Sequence, residues 1–371
     1  MKILQLVTVR QRRGAEVFAT QLSDALSARG HDVVLVGLLP PGDDPLTPNR
    51  ARVHDLNAGS IGRLNLVRLS HYAKVLRRIQ PDVVQANGSQ TLKYSSLAKR
   101  LSTRRVPLVY RNISMASEWV RGPVHRGWVR WLVGAIDHIS SVSAECSRDF
   151  GSTYGVPAER RSVIRRGILV PKQVDAKAAR HQLQVLTGIP QTAQILLHTG
   201  SFTDEKNHTW LVEAFCRVQA AGLNVHLVLI GDGELKLQVE AQIRESGMAE
   251  RIHLLGIRND AADLVAGADV FVLPSKIEGI PGALLEAAAQ AVPAVATNVG
   301  GMREAVLNGQ TGSLIDPGDS PAFAAAVLRL LSNREERLAM GLAARELVIE
   351  RFSMNATASA FESLYERLTS E

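Results

Sequence analysis

The stretch DVFVLPSKIEGIPGALLEAAAQAVPAVAT, residues 269–297, decides how the chain folds. Two almost wholly apolar runs, DVFVLP and VPAVAT, flank an alanine-rich segment that opens after a Gly and Pro loop. Strands without polar alternation are covered on both faces, which marks a parallel sheet flanked by helices. The stretch therefore reads as strand, loop, helix, strand, with Glu278 in the loop and Glu286 about one turn into the helix. A helix built only to pack needs no acid at its mouth, so the two carboxylates call for a chemical explanation.

Outward from this stretch the same rhythm repeats. QILLHTG, VHLVLIGDG and RIHLLGI read as further strands of the second half, and KILQLVT, DVVLVGLL, DVVQAN, PLVYRN and HISSVS as strands of the first. Between them lie runs such as AEVFATQLSDALSARG, apolar at helical spacing and stopped by Gly30. At 371 residues the chain exceeds what one core usually supports. The expected architecture is α/β, with two doubly wound Rossmann-like domains facing across a cleft lined by the carboxyl ends of their strands, where ligands of open parallel sheets bind. The boundary falls near RRGILVPKQVDAKAAR: residues 1–170 form an acceptor-side domain, 171–352 a donor-binding domain, and 353–371 a C-terminal helix that crosses back to the first.

Composition narrows the class. Hydrophobic residues at 46% and charged residues at 21% exclude a disordered or fibrous chain. The apolar run at the start is short and ends in arginines, so it reads as a buried strand rather than an export signal. No window approaches the length of a membrane span, and Cys146 and Cys216 are the only cysteines, so a reduced, cytoplasmic setting is expected. Residues 1–170 hold 26 Lys+Arg and 12 Asp+Glu, a charge of +14; the totals of 43 and 36 leave 17 and 24, or −7, for the rest. A basic half favours anionic partners. SEWVRGPVHRGWVRWLVG interleaves Trp119, Trp128 and Trp131 with Arg121, Arg126 and Arg130. Either the tryptophans pack inward while the arginines meet water, or the segment sits at an anionic membrane surface, which would make the protein peripheral at the inner face.

Three loops carry candidate chemistry. Gly279 and Gly282 leave backbone N–H groups unshielded beside a helix N-terminus, which favours a phosphate. Carboxylates beside a phosphate cradle suit sugar hydroxyls, so Glu278 and Glu286 together describe a nucleotide-sugar. HTGSFTDEKNH sets Gly200 after a strand and Lys206 above the same cleft, and TNVGG adds Gly300 and Gly301. Gly231-x-Gly233 lacks the third glycine of a dinucleotide fingerprint and reads as a strand-to-helix turn near the nucleotide. No Asp-x-Asp pair follows a strand, and Asp43-Asp44 stands in a Pro-rich loop better suited to solvent, so the sequence offers no acidic pair for a metal; no cofactor is expected.

Nearly the whole chain resembles the retaining glycosyltransferases of family 4, with the two-domain GT-B architecture. The resemblance rests on Gly14-Ala15-Glu16, ARGHDVVLVG, GSFTDEKNH, VLIGDGE and ADVFVLPSKIEGIPGALLEAAAQAVPAVATNVGGMREAV, in which the two acids with seven residues between them are the most specific feature. It implies that Glu278 contacts the donor sugar, Glu286 the ribose and Lys206 the diphosphate. Gly200, Ser201, Gly231, the backbone of Gly279, Ile280, Pro281 and Gly282, Gly300, and Gly14 from the facing domain would complete the donor site. Three positions depart from the pattern. Ser201 stands where the family often has Arg, Arg13 precedes Gly14 where Gly is common, and Arg111 and Asn112 replace a histidine that reaches the donor sugar. Arg13 could supply the missing cation, and Arg111 and Asn112 are candidate donor or acceptor contacts.

The implied reaction moves a sugar from a nucleotide-diphosphate-sugar to a glycan or lipid-linked acceptor in cell-surface polysaccharide or glycolipid synthesis, without a metal. Glu278 and Lys206 would be the catalytic residues, since charge builds on the departing diphosphate and each well-placed donor is worth about 3–4 kcal/mol. The alternatives are a GT-B-like nucleotide-sugar epimerase and a non-catalytic nucleotide-sugar-binding protein. No nucleic-acid partner is expected, because the positive charge is spread over several elements without a recognition motif.

Overall fold

The computed structural model describes residues 1–11, 13–42, 45–56, 64–172 and 175–370; Asp43-Asp44 lies outside them. The first half runs β1 (Lys2–Val7), α1 (Gly14–Ala28), β2 (Asp32–Gly37), β3 (Arg52–Asp55), α2 (Leu66–Ile79), β4 (Val83–Asn87), α3 (Ser89–Leu101), β5 (Leu108–Asn112), α4 (Pro123–Val133), β6 (His138–Ser141), α5 (Ala144–Tyr154) and β7 (Arg161–Val163). The second runs α6 (Ala176–Thr187), β8 (Gln194–Thr199), α7 (His208–Gln219), β9 (Val225–Ile230), α8 (Lys236–Glu245), β10 (Ile252–Leu254), α9 (Ala261–Leu264), β11 (Val270–Leu273), α10 (Gly282–Ala289), β12 (Ala294–Thr297), α11 (Met302–Ala305), β13 (Gly312–Ile315), α12 (Ser320–Ser332), α13 (Arg334–Arg351) and α14 (Met354–Ser370). The chain divides into two compact units, Met1–Leu169 with Phe352–Glu371, and Val170–Arg351.

The first unit is built on a seven-stranded parallel sheet ordered β3-β2-β1-β4-β5-β6-β7. Its inner strands are largely apolar because helices cover both faces. Leu4, Leu6, Val34 and Val84 pack with Tyr72 of α2, Tyr94 of α3, Leu132 of α4 and Phe150 of α5. On the other face Ile3, Val33, Val83 and Val109 pack with Phe18 and Leu22 of α1 and Phe361 and Leu364 of α14. The last helix of the chain thus belongs to the core of the first strands.

A closed hydrogen-bond ring pins α14 to the middle of this sheet. The Tyr365 hydroxyl accepts from Gln5 Nε2 at 3.1 Å and donates to Gln85 Oε1 at 2.5 Å, Gln85 Nε2 donates to Asn87 Oδ1 at 2.9 Å, and Asn87 Nδ2 donates back to Gln5 Oε1 at 3.0 Å. All four residues are buried, so breaking the ring strands polar groups away from water. Tyr365→Phe is expected to cost about 1–3 kcal/mol in denaturant unfolding; a change below about 0.5 kcal/mol, the size of a neutral surface substitution, would show that the ring carries no stability.

The second unit holds a six-stranded parallel sheet ordered β10-β9-β8-β11-β12-β13. Leu196, Leu227, Val270 and Val295 of its strands pack with Leu211 and Phe215 of α7 and Phe323 and Val327 of α12. The strand order reverses between β8 and β11: one series runs outward through β9 and β10, the other through β12 and β13. Each of the strands expected from the sequence is present, whereas β3, β7 and β13 were not read. All three are sheet edges paired on one side only, and β3 and β7 keep polar, partly exposed residues that mask the apolar signal.

Candidate active site

The strand order reverses between β8 and β11, the place where open α/β sheets bind ligands. The loop after β8 carries Gly200 and Ser201, turns through Asp204–Lys206, and enters α7 after Asn207. The loop after β11 runs from Pro274 to Pro281 and enters α10 at Gly282. The two loops are tied together, since Lys276 N donates to Glu205 O at 2.8 Å, Lys276 Nζ to Asp204 Oδ1 at 2.6 Å, and Asn207 Nδ2 to Pro274 O at 3.3 Å.

At the centre, Lys206 Nζ donates to Glu278 Oε1, which also accepts from Ser275 Oγ at 2.7 Å. Glu278 and Ser275 are buried, Lys206 is partly so, and an ion pair shielded in this way is stronger than one in water. Gly279, Ile280 and Pro281 are buried behind Glu278, and Glu286 lies half-buried on α10. The loop after β12 joins from the next strand, where Gly300 and Gly301 turn tightly into α11 and Thr297 Oγ1 donates to Ser275 O.

Gly231 and Gly233 have a definite task. Gly231 has φ 141°, and a Cβ there would collide with the Gly200 carbonyl; one on Gly233 would meet the Phe202 backbone. Gly200 N donates to Ile230 O and Phe202 N to Asp232 O, both at 3.0 Å. The loop after β9 therefore supports the loop that holds Gly200 and Lys206.

Sequence reasoning missed the pair of histidines beneath this loop. His198 donates from Nδ1 to Val272 O at 2.8 Å, so its Nε2 carries no proton in the neutral ring and faces Gly200. His208 stacks on Phe202 with centroids 4.0 Å apart and meets His198 edge-on at 4.7 Å. Neither His208 nitrogen nor His198 Nε2 has a partner among the described residues. Burial, and next the charge of Lys206, push His208 down to about 4; burial holds His198 well below the usual imidazole range. Lone histidines in an apolar run carry no sequence signal of such a pairing.

A proton is thus bound more readily by the unfolded His208 than by the folded one. Its contribution is complete above the ordinary histidine pKa of about 6.5 and is lost as pH falls through that value toward about 4. Thermal melts should drop over this window, by up to about 3 kcal/mol from His208. His208→Phe should flatten the drop; an unchanged pH profile in that variant would remove His208 as its source.

In the first unit, Arg13 is an exposed residue capping α1, which Gly14 opens. A Cβ on Gly14 would lie 3.1 Å from Arg166 Nη1, and burial pushes the Glu16 carboxyl up to about 7. Arg111 and Asn112, the candidate donor or acceptor contacts, are both buried in the first unit. Arg111 is 1% exposed, its guanidinium lies over Phe18 and Phe361 at 4.3 and 5.0 Å, and it donates to Ser140 Oγ and Ile164 O. Burial, with Arg166 nearby, lowers it to about 9. Asn112 Nδ2 donates to Ser141 Oγ and Cys146 O. Both sit on β5, near the middle of the sheet, where side chains are roofed by helices and turned into the core.

Two family models match the chain. The model described as Glycosyltransferase Family 4 covers residues 12–169, and that described as Glycosyl transferases group 1 covers residues 193–333. The chain belongs to glycosyltransferase family 4. This glycosyltransferase is 26% identical over 360 residues to N-acetyl-alpha-D-glucosaminyl L-malate synthase of Bacillus anthracis, covering 95% of this chain and 93% of that one. It is 25% identical over 307 residues to the UDP-Gal:alpha-D-GlcNAc-diphosphoundecaprenol alpha-1,3-galactosyltransferase of Escherichia coli, covering 79% and 77%. Among solved structures it resembles Anabaena HepE in complex with UDP and glucose, with TM-score 0.85, 20% identity and 99% of each chain covered. A sucrose-phosphate synthase from Thermosynechococcus elongatus gives TM-score 0.85 at 20% identity over all of both chains. These likenesses give the glycosyltransferase the GT-B fold, two Rossmann-like α/β domains in one chain. Lys206 and Glu278 fall in the group 1 match, and Gly14, Arg111 and Asn112 in the Family 4 match.

Proposed function

We propose that this glycosyltransferase takes a nucleoside-diphosphate sugar as donor and transfers its sugar, with retention at the donor carbon, to a glycan or lipid-linked acceptor of a cell-surface polysaccharide or glycolipid. The observation that carries the reading is the Lys206–Glu278 pair at the strand-order reversal of the second unit, flanked by glycine backbone. Among the described residues both donors to Glu278 fall on Oε1, so Oε2 is the atom offered to donor-sugar hydroxyls. Lys206 takes the diphosphate, Glu286 the ribose, and the backbone of Gly200, Ser201, Gly279 to Gly282 and Gly300 lines the phosphates.

Without donor, lysine and carboxylate neutralise one another, so Glu278 is not left as an unpaired buried charge. When the glycosidic bond lengthens, negative charge grows on the leaving diphosphate and Lys206 bridges it to Glu278, which Ser275 keeps oriented. The reading assigns that charge to Lys206 and backbone N–H groups rather than to a metal ion. Similar proteins support it: HepE has been solved with UDP-glucose, and the name of the Escherichia coli relative gives a UDP-sugar donor and a diphosphoundecaprenol-linked acceptor.

The test is to incubate the purified chain with uridine, guanosine and adenosine diphosphate sugars, follow release of nucleoside diphosphate, and read the product's anomeric configuration by NMR. Retained configuration with one donor class supports the reading. Inverted product removes retention, donor altered without an acceptor makes the protein an epimerase, and binding without turnover makes it a sensor.

A further inference from the structure

Among the described residues, helix α4 carries an apolar face that its own unit leaves exposed. Leu132 and Val133 are buried and Val129 packs against the core, which accounts for one side of the helix. Val124, Trp128 and Trp131 follow at spacings of four and three, the interval that places side chains along one stripe, and they are 86%, 42% and 45% exposed. The two indoles stack with centroids 5.2 Å apart, and the Arg100 guanidinium of the adjoining α3 lies 4.3 Å above Trp131. Leu101, at the end of α3, is also exposed. An exposed aliphatic and indole stripe of this kind marks an interaction surface.

The surroundings of the stripe say what covers it. Residues 100–136 contain seven arginines and one acid, Glu118. Arg111 is in the core, while Arg100, Arg104, Arg105, Arg121, Arg126 and Arg130 are exposed. Glu118 is exposed, and two acids beyond it are engaged: Asp137 accepts from Lys99, and Asp149 Oδ2 accepts from the backbone of Ala116 and Ser117. A second copy paired through the same stripe, as in a two-fold dimer, would oppose arginine to arginine, which repels. A surface of anionic headgroups over an apolar layer meets all three features, with the arginines at the phosphates, the indoles at the boundary and Val124 deepest. No helix among the described residues is long and apolar enough to cross a membrane.

We propose that the α4 face of the first unit docks on an anionic lipid bilayer. The proposal goes beyond the donor chemistry and stands whether or not that reading holds. The test uses the full chain with phosphatidylcholine vesicles and with vesicles containing phosphatidylglycerol. Sedimentation should show partition to the anionic vesicles, weakened by salt, with a blue shift of indole emission. The double variant Val124→Asp, Trp128→Ser should bind about tenfold less tightly, and Arg104→Glu with Arg105→Glu should lose about tenfold of the anionic preference. Trp131 is left intact because its carbonyl accepts from Arg100. Unchanged thermal melting of the variants excludes misfolding. No partition of the intact chain, or equal partition of the double variant, overturns the proposal. So does self-association in sedimentation velocity that the double variant abolishes, because the face would then be a protein interface.

Discussion

Lys206→Met is expected to lower kcat about 100- to 1,000-fold, the usual effect of removing one preorganised donor from charge that builds in a transition state. The ammonium group is held between the loops after β8 and β11 by Glu278, so little reorganisation is needed when the diphosphate departs. The same change leaves Glu278 buried with Ser275 as its remaining donor, so a loss of stability should accompany the loss of rate. The two effects are separable. Lys206→Met combined with Glu278→Gln removes the unpaired charge and should recover much of the melting temperature without recovering turnover. Turnover near wild type in the single variant, measured as nucleoside diphosphate release at saturating donor, would end the assignment of Lys206 to the leaving group.

Gly231→Ala should destabilise the second unit by about 3 kcal/mol or more, because two costs add. The residue sits at φ 141°, where L side chains are rarely found, and its Cβ would be driven into the Gly200 carbonyl. That carbonyl belongs to backbone, with Gly200 N bonded to Ile230 O, so neither partner can swing aside. Relief requires the loop carrying Gly200 and Lys206 to move, and donor affinity should fall together with stability. Gly309→Ala is the control: its φ is 79° but no described residue stands within 4 Å of its Cβ, so only the backbone preference of about 1 kcal/mol is lost. Equal melting temperatures for the two variants would show that the packing of Gly231 on Gly200 contributes nothing.

Much of the architecture was open to reading because buried parallel strands are continuous apolar runs, as in QILLHTG and VHLVLIGDG. Edge strands follow a different rule. Arg52–Asp55 alternates exposed and half-buried residues, and such four-residue runs look like loops. That Glu278 and its glycines share one loop between β11 and α10 was legible because these residues are contiguous in the sequence. The fate of PLVYRNIS was not, since a polar residue ending a strand can meet a ligand or turn inward, and in Arg111 it lies over Phe18 and Phe361. Exposure of the three tryptophans was likewise open, and the fold resolves it toward the surface while Trp210 packs on Phe323.

The amino-acid order by itself determined the alternation of strand and helix, the two-domain class and the family, because these depend on local periodicity and short motifs. Tertiary structure alone decided that Lys206, 72 positions before Glu278, closes an ion pair with it, that His208 stacks on Phe202 against His198, and that Tyr365 completes a ring with Gln5, Gln85 and Asn87. The physical reason is that strand order, not sequence distance, brings such groups together. Where the sheet reverses between β8 and β11, loops remote along the chain meet, and the energy of a buried polar contact depends on that meeting.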